Sequence, residues 1–230
     1  MKISYLVTVH NETDTLERLL ARLDSFLRGT CDEVVIIDDF SDNPKTQEII
    51  QAFLKQHPET HVKVSQHALD KNYGAHKNHG NSLCKNEWIF QIDGDEIPNE
   101  TLLCNIKDII ETNPDIELYF VPRVNDFRGV TEADAKKWGW RLTPCPEYEG
   151  RPIVNWPDYQ GRIYKNAPAR IKWDCRLHEK IEGHSKYSAL PAEVDLTLYH
   201  DKTIETQLKT NTRYNEWFTS DENRGHNVFK

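Results

Sequence analysis

Three acids fall within four positions at Asp93-Gly94-Asp95-Glu96, directly after the apolar run Trp88-Ile89-Phe90-Gln91-Ile92. A short apolar run of this kind predicts a buried strand. In an extended backbone, side chains two apart share a face, so Asp93 and Asp95 are expected to point together. Converging carboxylates suit a hard divalent cation, Mg²⁺ or Mn²⁺, carrying phosphates. Gly94 has no Cβ and lets a bulky ligand approach the main chain. The competing reading is an acidic turn, because Asp and Gly are common turn residues. Two other polar clusters also follow apolar runs: His10-Asn11-Glu12 after Lys2–Val9, and Asp38-Asp39 after Glu33–Ile37.

The elements that must carry these groups alternate. Lys2–Val9 predicts a strand, and Asp14 with Glu17 three positions on suits a capping box. Leu16, Leu19, Leu20, Leu23 and Leu27 then recur at helical spacing and are read as core. After the Glu33–Ile37 strand, Asp42-Asn43-Pro44 opens a second helix. Its inner face is Ile49, Ile50, Phe53 and Leu54, and Pro58 marks its end. Val62–Val64 predicts a third strand, and Asn72–Asn78 a loop leading into a short helix. Beyond Thr101, Leu102, Leu103, Ile106, Ile109 and Ile110 predict another helix, and Leu118–Val121 a strand.

This alternation predicts an α/β fold with a mostly parallel sheet flanked by helices. Ligands in such sheets sit beyond the carboxyl ends of the strands, so the three polar clusters should gather on one edge. Residues 123–175 hold four of the six tryptophans with few helical patterns, which predicts a loop-rich region lying over that edge. Gln160–Lys165, Ile181 and Leu196–Tyr199 are read as strands. Leu208, Tyr214 and Trp217 predict a terminal helix from Ile204 onward with a polar tail. With no repeat or linker, 1–230 is read as a single domain, divided into halves at 1–122 and 123–230.

The formal charge of -8 counts against a broad nucleic-acid-binding surface. Five scattered cysteines without a C-x-x-C pair indicate neither a zinc site nor a disulfide framework. A reducing cytosol is the expected compartment. The chain starts on a strand-like segment without a signal-peptide pattern. No apolar run approaches the roughly 20 residues that span a bilayer, so any membrane contact would be peripheral.

The set Thr8-Val9-His10-Asn11-Glu12, Val35–Asp42, Gly74-Ala75-His76-Lys77-Asn78 and Asp93-Gly94-Asp95-Glu96 resembles the family 2 glycosyltransferases in order and spacing over about the first 125 residues. Trp173–Glu179, ending in Leu177-His178-Glu179, looks like a segment of the branch that includes lipopolysaccharide-core glucosyltransferases. The resemblance implies a GT-A fold, a nucleoside-diphosphate sugar donor (UDP-sugar foremost), a divalent metal cofactor and inversion at the anomeric carbon. It places Thr8, His10, Glu12 and Gly94 at the nucleotide-sugar pocket, Asp39 on the base and Lys77 on the diphosphate. Asp93 falls to the ribose or metal, Asp95 to the metal, and His200 to a late metal-binding position. The second half would bind the acceptor, a hydroxyl on a glycan, a lipid-linked sugar or a modified base. Three features depart from the family pattern. Phe40 stands where Gly is usual, implying a less compact loop, and His10 stands where Tyr is common. The usual acidic pair and Q-x-x-R-W helix are missing.

Glycosyl transfer needs stabilisation of a departing diphosphate and a base for the acceptor hydroxyl. Glu179 is the first choice of base, with Asp158 and Asp174 in reserve and Glu96 set closer to the leaving group. Bland alternatives stand beside each assignment. His178 and His200 could be structural histidines, Lys77 an exposed helix charge, and Glu179 a partner of Arg176 or Arg162. Trp138, Trp140, Trp156 and Trp173 are core by default. The competing function is a nucleotidyltransferase or other nucleotide-binding α/β enzyme, although no Gly-rich phosphate loop is present. A catalytically inactive sugar-binding relative is the third reading.

Overall fold

The computed structural model describes residues 1–57, 61–145 and 150–223. The first half runs β1 (Ile3–Val9), α1 (Asp14–Leu27), β2 (Glu33–Asp38), α2 (Pro44–Gln56), β3 (Val62–Gln66), α3 (Tyr73–Leu83), β4 (Trp88–Asp93), β5 (Glu96–Pro98), α4 (Glu100–Thr112) and β6 (Leu118–Val121). The second half runs β7 (Arg123–Arg128), α5 (Glu132–Trp138), β8 (Leu142–Pro144), β9 (Pro152–Val154), β10 (Gln160–Lys165), β11 (Lys172–Asp174), β12 (Lys180–Glu182), β13 (Tyr187–Ala189), β14 (Leu198–Thr203) and α6 (Ile204–Trp217).

The large sheet has the order β13-β6-β10-β4-β1-β2-β3. Strands β4, β1, β2 and β3 are parallel, and β10 runs antiparallel to both β4 and β6. Along β1 the pleat sends Ile3, Tyr5, Val7 and Val9 to one face, where the leucines of α1 and Leu102, Leu103 and Ile106 of α4 cover them. Leu6 joins Val35, Ile37, Ile89, Tyr164 and Trp173 on the other face. There α3 lies close, because a Cβ on Gly80 would come within 2.5 Å of a Leu6 methyl. The five leucines at helical spacing are all buried, as their period requires.

Several local expectations need correction. No capping box opens α1: its N-cap is Thr13, which makes no side-chain cap, and Asp14 instead pairs with Lys45 at 2.5 Å. The Asn72–Asn78 segment is largely helix, since Asn72 caps α3 by accepting from the Ala75 N–H at 3.0 Å. Residues 194–196 form a 3-10 turn, so the strand there begins at Leu198. At α2, Asn43 caps and Pro44 occupies the first turn as expected. Pro58 and the tail beyond Asn223 lie outside the described residues.

The largest correction concerns 123–175. In place of loops over the sheet edge, β7, β8 and β9 join β5 and β14 in a second sheet of order β5-β14-β7-β9-β8. The chain passes between sheets at Gly94–Asp95, one residue pair after β4 ends. Second-half strands β10 and β13 complete the large sheet, and first-half β5 edges the small one.

The N-terminus of α3 also packs against the segment after β11. Tyr73 N–H donates to the Arg176 carbonyl at 2.9 Å, and a Cβ built on Gly74 would stand 2.5 Å from the Cys175 carbonyl oxygen. That oxygen belongs to backbone, so Gly74→Ala must displace the loop that carries Glu179. Urea denaturation should show a loss of about 1–3 kcal/mol for this variant. An unchanged midpoint would mean that the contact is slack.

Candidate active site

The parallel register sets Thr8 beside Asp93 and Val9 beside Asp38, bringing the strand ends level. Gly94 N–H donates to the Thr8 carbonyl at 2.8 Å, and Asp39 N–H to that of Val9 at 2.8 Å. Beyond this edge opens a cavity of about 830 Å³. Thr8, His10, Glu12, Asp39, Lys77, Asp93, Gly94, Asp95, Asp158, Glu179 and His200 all line it. A volume of this size accommodates a nucleotide sugar.

At the cavity floor is a chain of alternating charges. Glu179 Oε1 lies 2.7 Å from Lys77 Nζ, which is itself 3.2 Å from Asp93 Oδ1. Arg162 Nη2 donates to Asp93 Oδ2 and to Glu96 Oε1, each at 2.6 Å, while Arg162 Nη1 donates to the Gln91 side chain. Arg123 continues the chain, at 2.9 Å from Glu96 Oε1 and 2.6 Å from Asp158 Oδ2. Glu96 is wholly buried and Lys77 is 4% exposed. The reading of Lys77 as an exposed helix charge is therefore wrong, and Glu179 pairs with Lys77, not with Arg176 or Arg162. Lys77 also stands over the Trp173 ring at 4.7 Å. Burial would raise the Asp93 carboxyl, but Arg162 and Lys77 hold it well below the usual range. Asp158 is similarly lowered despite burial, by Arg123 and Asn125.

Asp95 takes a different environment from Asp93 because the chain has turned. Its Oδ2 is 3.1 Å from His200 Nε2 and 3.5 Å from Lys202 Nζ. The tautomer of His200 follows from its other neighbour. Asn125 Nδ2 donates to the Val154 carbonyl and to Asp158 Oδ2, leaving Asn125 Oδ1 as an acceptor 2.7 Å from His200 Nδ1. The Nδ1 therefore carries the proton. Burial depresses the His200 pKa, favouring the neutral ring. Its Nε2 lone pair then faces a carboxylate, an arrangement that a shared cation completes. Among the described residues no three His, Cys, Asp or Glu side chains form a metal cage. Asp95 and His200 are the pair that would hold a divalent cation here.

The nucleotide end is built by loops. Asp39 Oδ1 accepts from the Leu69 N–H at 2.7 Å, and its Oδ2 lies 3.5 Å from His10 Nδ1. Asp38 instead turns inward to Ser41 and Gln47. At Phe40 the backbone keeps the left-handed φ of 47° that glycine favours. Phe40 thus adopts a backbone conformation that glycine favours, and its ring is left exposed. Glu12 accepts from the His10 N–H at 2.6 Å, and burial, with Asp95 and Asp93 nearby, raises its pKa to about 8. A Cβ on Gly94 would lie 3.0 Å from Glu12 Oε2 and from the Thr8 carbonyl, a tight fit that either neighbour would have to relieve.

Arg162, Arg123, His76 and the α6 rim (Gln207, Thr210, Tyr214) had no assigned role in the sequence reading, yet all line the cavity. The one signal for Arg162 was a charge among the apolar positions of a central strand. His178 sits at φ 53° and hydrogen bonds through Nε2 to the Asn223 carbonyl at 3.2 Å. Trp173 is core, at 5% exposure, while Trp138, Trp140 and Trp156 are half-buried. The described residues contain no helix long and apolar enough to cross a membrane.

Comparison with known proteins agrees with this geometry. The glycosyl transferase family 2 model matches residues 4–171. The chain belongs to that family. Dolichol-phosphate mannosyltransferase of Pyrococcus furiosus is 25% identical over 167 residues, covering 73% of this chain and 39% of that protein. The chain therefore spans well under half of the curated relative it matches. Among solved structures, S. aureus TarS superposes with a TM-score of 0.58 at 20% identity, over 89% of this chain and 37% of TarS. TarS 1-349 in complex with UDP-GlcNAc gives 0.57 at 19% identity, over 88% of this chain and 59% of that one. These likenesses establish the GT-A fold.

Two measurements probe the floor of the cavity. Arg162→Met removes the cation between Asp93 and Glu96, and should cost about 3–5 kcal/mol in chemical denaturation. A loss below 1 kcal/mol would show that the chain of charges is not structurally required. His76, buried beside His67, has its pKa pushed down to about 4 by burial. The unfolded chain takes that proton first, so the stabilisation is present above about pH 6.5 and is lost as pH falls toward 4. The loss should be about 3 kcal/mol, and His76→Gln should flatten that part of the stability profile. An unaltered profile would contradict the assignment.

Proposed function

We propose that the chain transfers a sugar from a nucleoside-diphosphate sugar, UDP-linked foremost, to an acceptor hydroxyl, with inversion and with a divalent cation. The pairing of Asp95 with a tautomer-fixed His200, beside a separately neutralised Asp93, carries this reading. Asp95 and His200 would hold Mn²⁺ or Mg²⁺, which when bound supplies electrostatic stabilisation of the leaving diphosphate. Both oxygens of Asp93 are committed to Lys77, Thr8, Gln91 and Arg162, which favours the ribose side for it. Asp39 lines the cavity and would accept a base N–H through Oδ2, with Thr8, His10 and Glu12 lining the same cavity. Lys77, with two carboxylate partners, orients Glu179 and Asp93 as much as it faces phosphate.

For the base, Glu179 is preferred to Asp158. Glu179 Oε1 is fixed by Lys77, and its Oε2 makes no hydrogen bond among the described residues. Asp158 is held by Arg123, Asn125 and Gln160 and is lowered below the usual carboxylate range, so it is a weak proton acceptor. It serves instead to fix Asn125 and through it His200. The two halves, 1–122 for the donor and 123–230 for the acceptor, work as a single domain in this reading. The protein would act in the cytoplasm or peripherally at a membrane, in the manner of the lipopolysaccharide-core branch.

Calorimetry with UDP should show tighter binding with Mn²⁺ than without it, and Glu179→Gln should retain that affinity while losing about 10²- to 10⁴-fold in turnover. Equal affinity with and without the cation would remove the role of Asp95. Retained turnover in Glu179→Gln would remove that of Glu179.

A further inference from the structure

The wall of the cavity beyond the Asp95–His200 pair is aromatic. Helix α5 ends at Gly139, whose φ of 68° turns the chain so that Trp138 and Trp140 stack at 6.2 Å and 22°. Trp140 meets the Phe127 ring at 5.6 Å, and Phe127 meets His200 edge-on at 5.8 Å. A stripe of rings thus runs outward from the metal-binding position, and Phe127 and Trp140 both face the cavity. Asn155 lines the same cavity, held at φ 59° by a two-way tie to Arg141: its N–H donates to the Arg141 carbonyl at 2.8 Å, and its Oδ1 accepts the Arg141 N–H at 2.9 Å. Asn155 is exposed, and its Nδ2 has no partner among the described residues. Gln160 also lines the cavity, its Nε2 donating to Asp158 Oδ1 at 3.0 Å and its Oε1 without a hydrogen bond among the described residues.

We propose that this stripe is the acceptor subsite and that its occupant is a carbohydrate ring. A pyranose presents a C–H face to Trp140 and Phe127 and hydroxyls to Asn155 and Gln160, matching both kinds of group on this wall. An alkyl chain would find the rings interrupted by amides and flanked by the exposed Lys136, Lys137 and Arg141. A stacked nucleobase would suit the rings, but the formal charge of -8 disfavours its polyanionic backbone. This assignment rests on the transferase reading above, with the donor at Asp39 and Asp93, and narrows its acceptor to a saccharide.

Saturation-transfer NMR tests it, using methyl glycosides and disaccharides at millimolar concentration with the protein loaded with UDP and Mn²⁺. Transfer to saccharide C–H protons is expected, reduced roughly five-fold in Trp140→Ala and retained in Trp140→Phe, with UDP affinity unchanged in both. Near-UV circular dichroism checks that the variants are folded, and Trp140→Leu, which keeps apolar bulk without a ring and is expected to lose the signal as the alanine variant does, replaces it if the alanine variant is not. The proposal is overturned if UDP binds while no saccharide is saturated, or if Trp140→Ala leaves the signal intact. Trp140-dependent binding of oligothymidine or of polyprenyl phosphate vesicles in place of saccharides also overturns it. Saccharide saturation through Trp140 without UDP binding would refute the donor reading and leave this one standing.

Discussion

Everything at the strand ends depends on the balance of buried charge between Glu179 and Asp158. Lys77, Arg162 and Arg123 alternate with Glu179, Asp93, Glu96 and Asp158, and each cation touches two carboxylates. Burying any one of these groups alone would cost several kcal/mol, so the set stands or falls together. The members come from α3, β4, β5, β7, β10 and the segments before β10 and β12. Their pairing therefore fixes how the two sheets meet. The cavity opens at that junction because Gly94 and Asp95 carry the chain from one sheet to the other.

Local environment then gives four acids four states. Asp93 is ionised and spoken for by Arg162 and Lys77. Asp95, two residues on, lies against His200 and Lys202, which hold its carboxyl below the usual range despite burial. Glu12 is raised by burial and by its acidic neighbours, so near neutral pH it is largely protonated. Asp158 is ionised but locked. Glu179, held by Lys77 through Oε1, has an Oε2 with no hydrogen bond among the described residues, and the proposal of Glu179 as the base rests on that difference from the locked Asp158.

How much of this was legible in the sequence divides by the range of the interaction. The leucines of α1 at helical spacing and the apolar runs of β1, β2 and β4 are local patterns, and they placed the large sheet and its ligand-bearing edge. The second sheet was hidden because β5, β8 and β9 are three residues each, too short for any periodicity to register. The α1 cap was misread because the helix starts one residue earlier, with Thr13 as N-cap and Asp14 already helical, and Lys45, 31 positions away, takes the Asp14 carboxylate. The charge chain was invisible for the same reason. Lys77 meets Glu179 across 102 positions, and Arg162 meets Glu96 across 66. Residue types announced the chemistry, but only packing could say which acid was already neutralised and which was left for a ligand.

The decisive measurement is the anomalous difference map of a crystal soaked with Mn²⁺ and UDP. The account predicts a single strong manganese peak between Asp95 Oδ2 and His200 Nε2, with Asp93 still paired to Arg162 and Lys77 and the uracil against Asp39. Manganese bound to Asp93 with Arg162 displaced, or His200 turned away from Asp95, would contradict it.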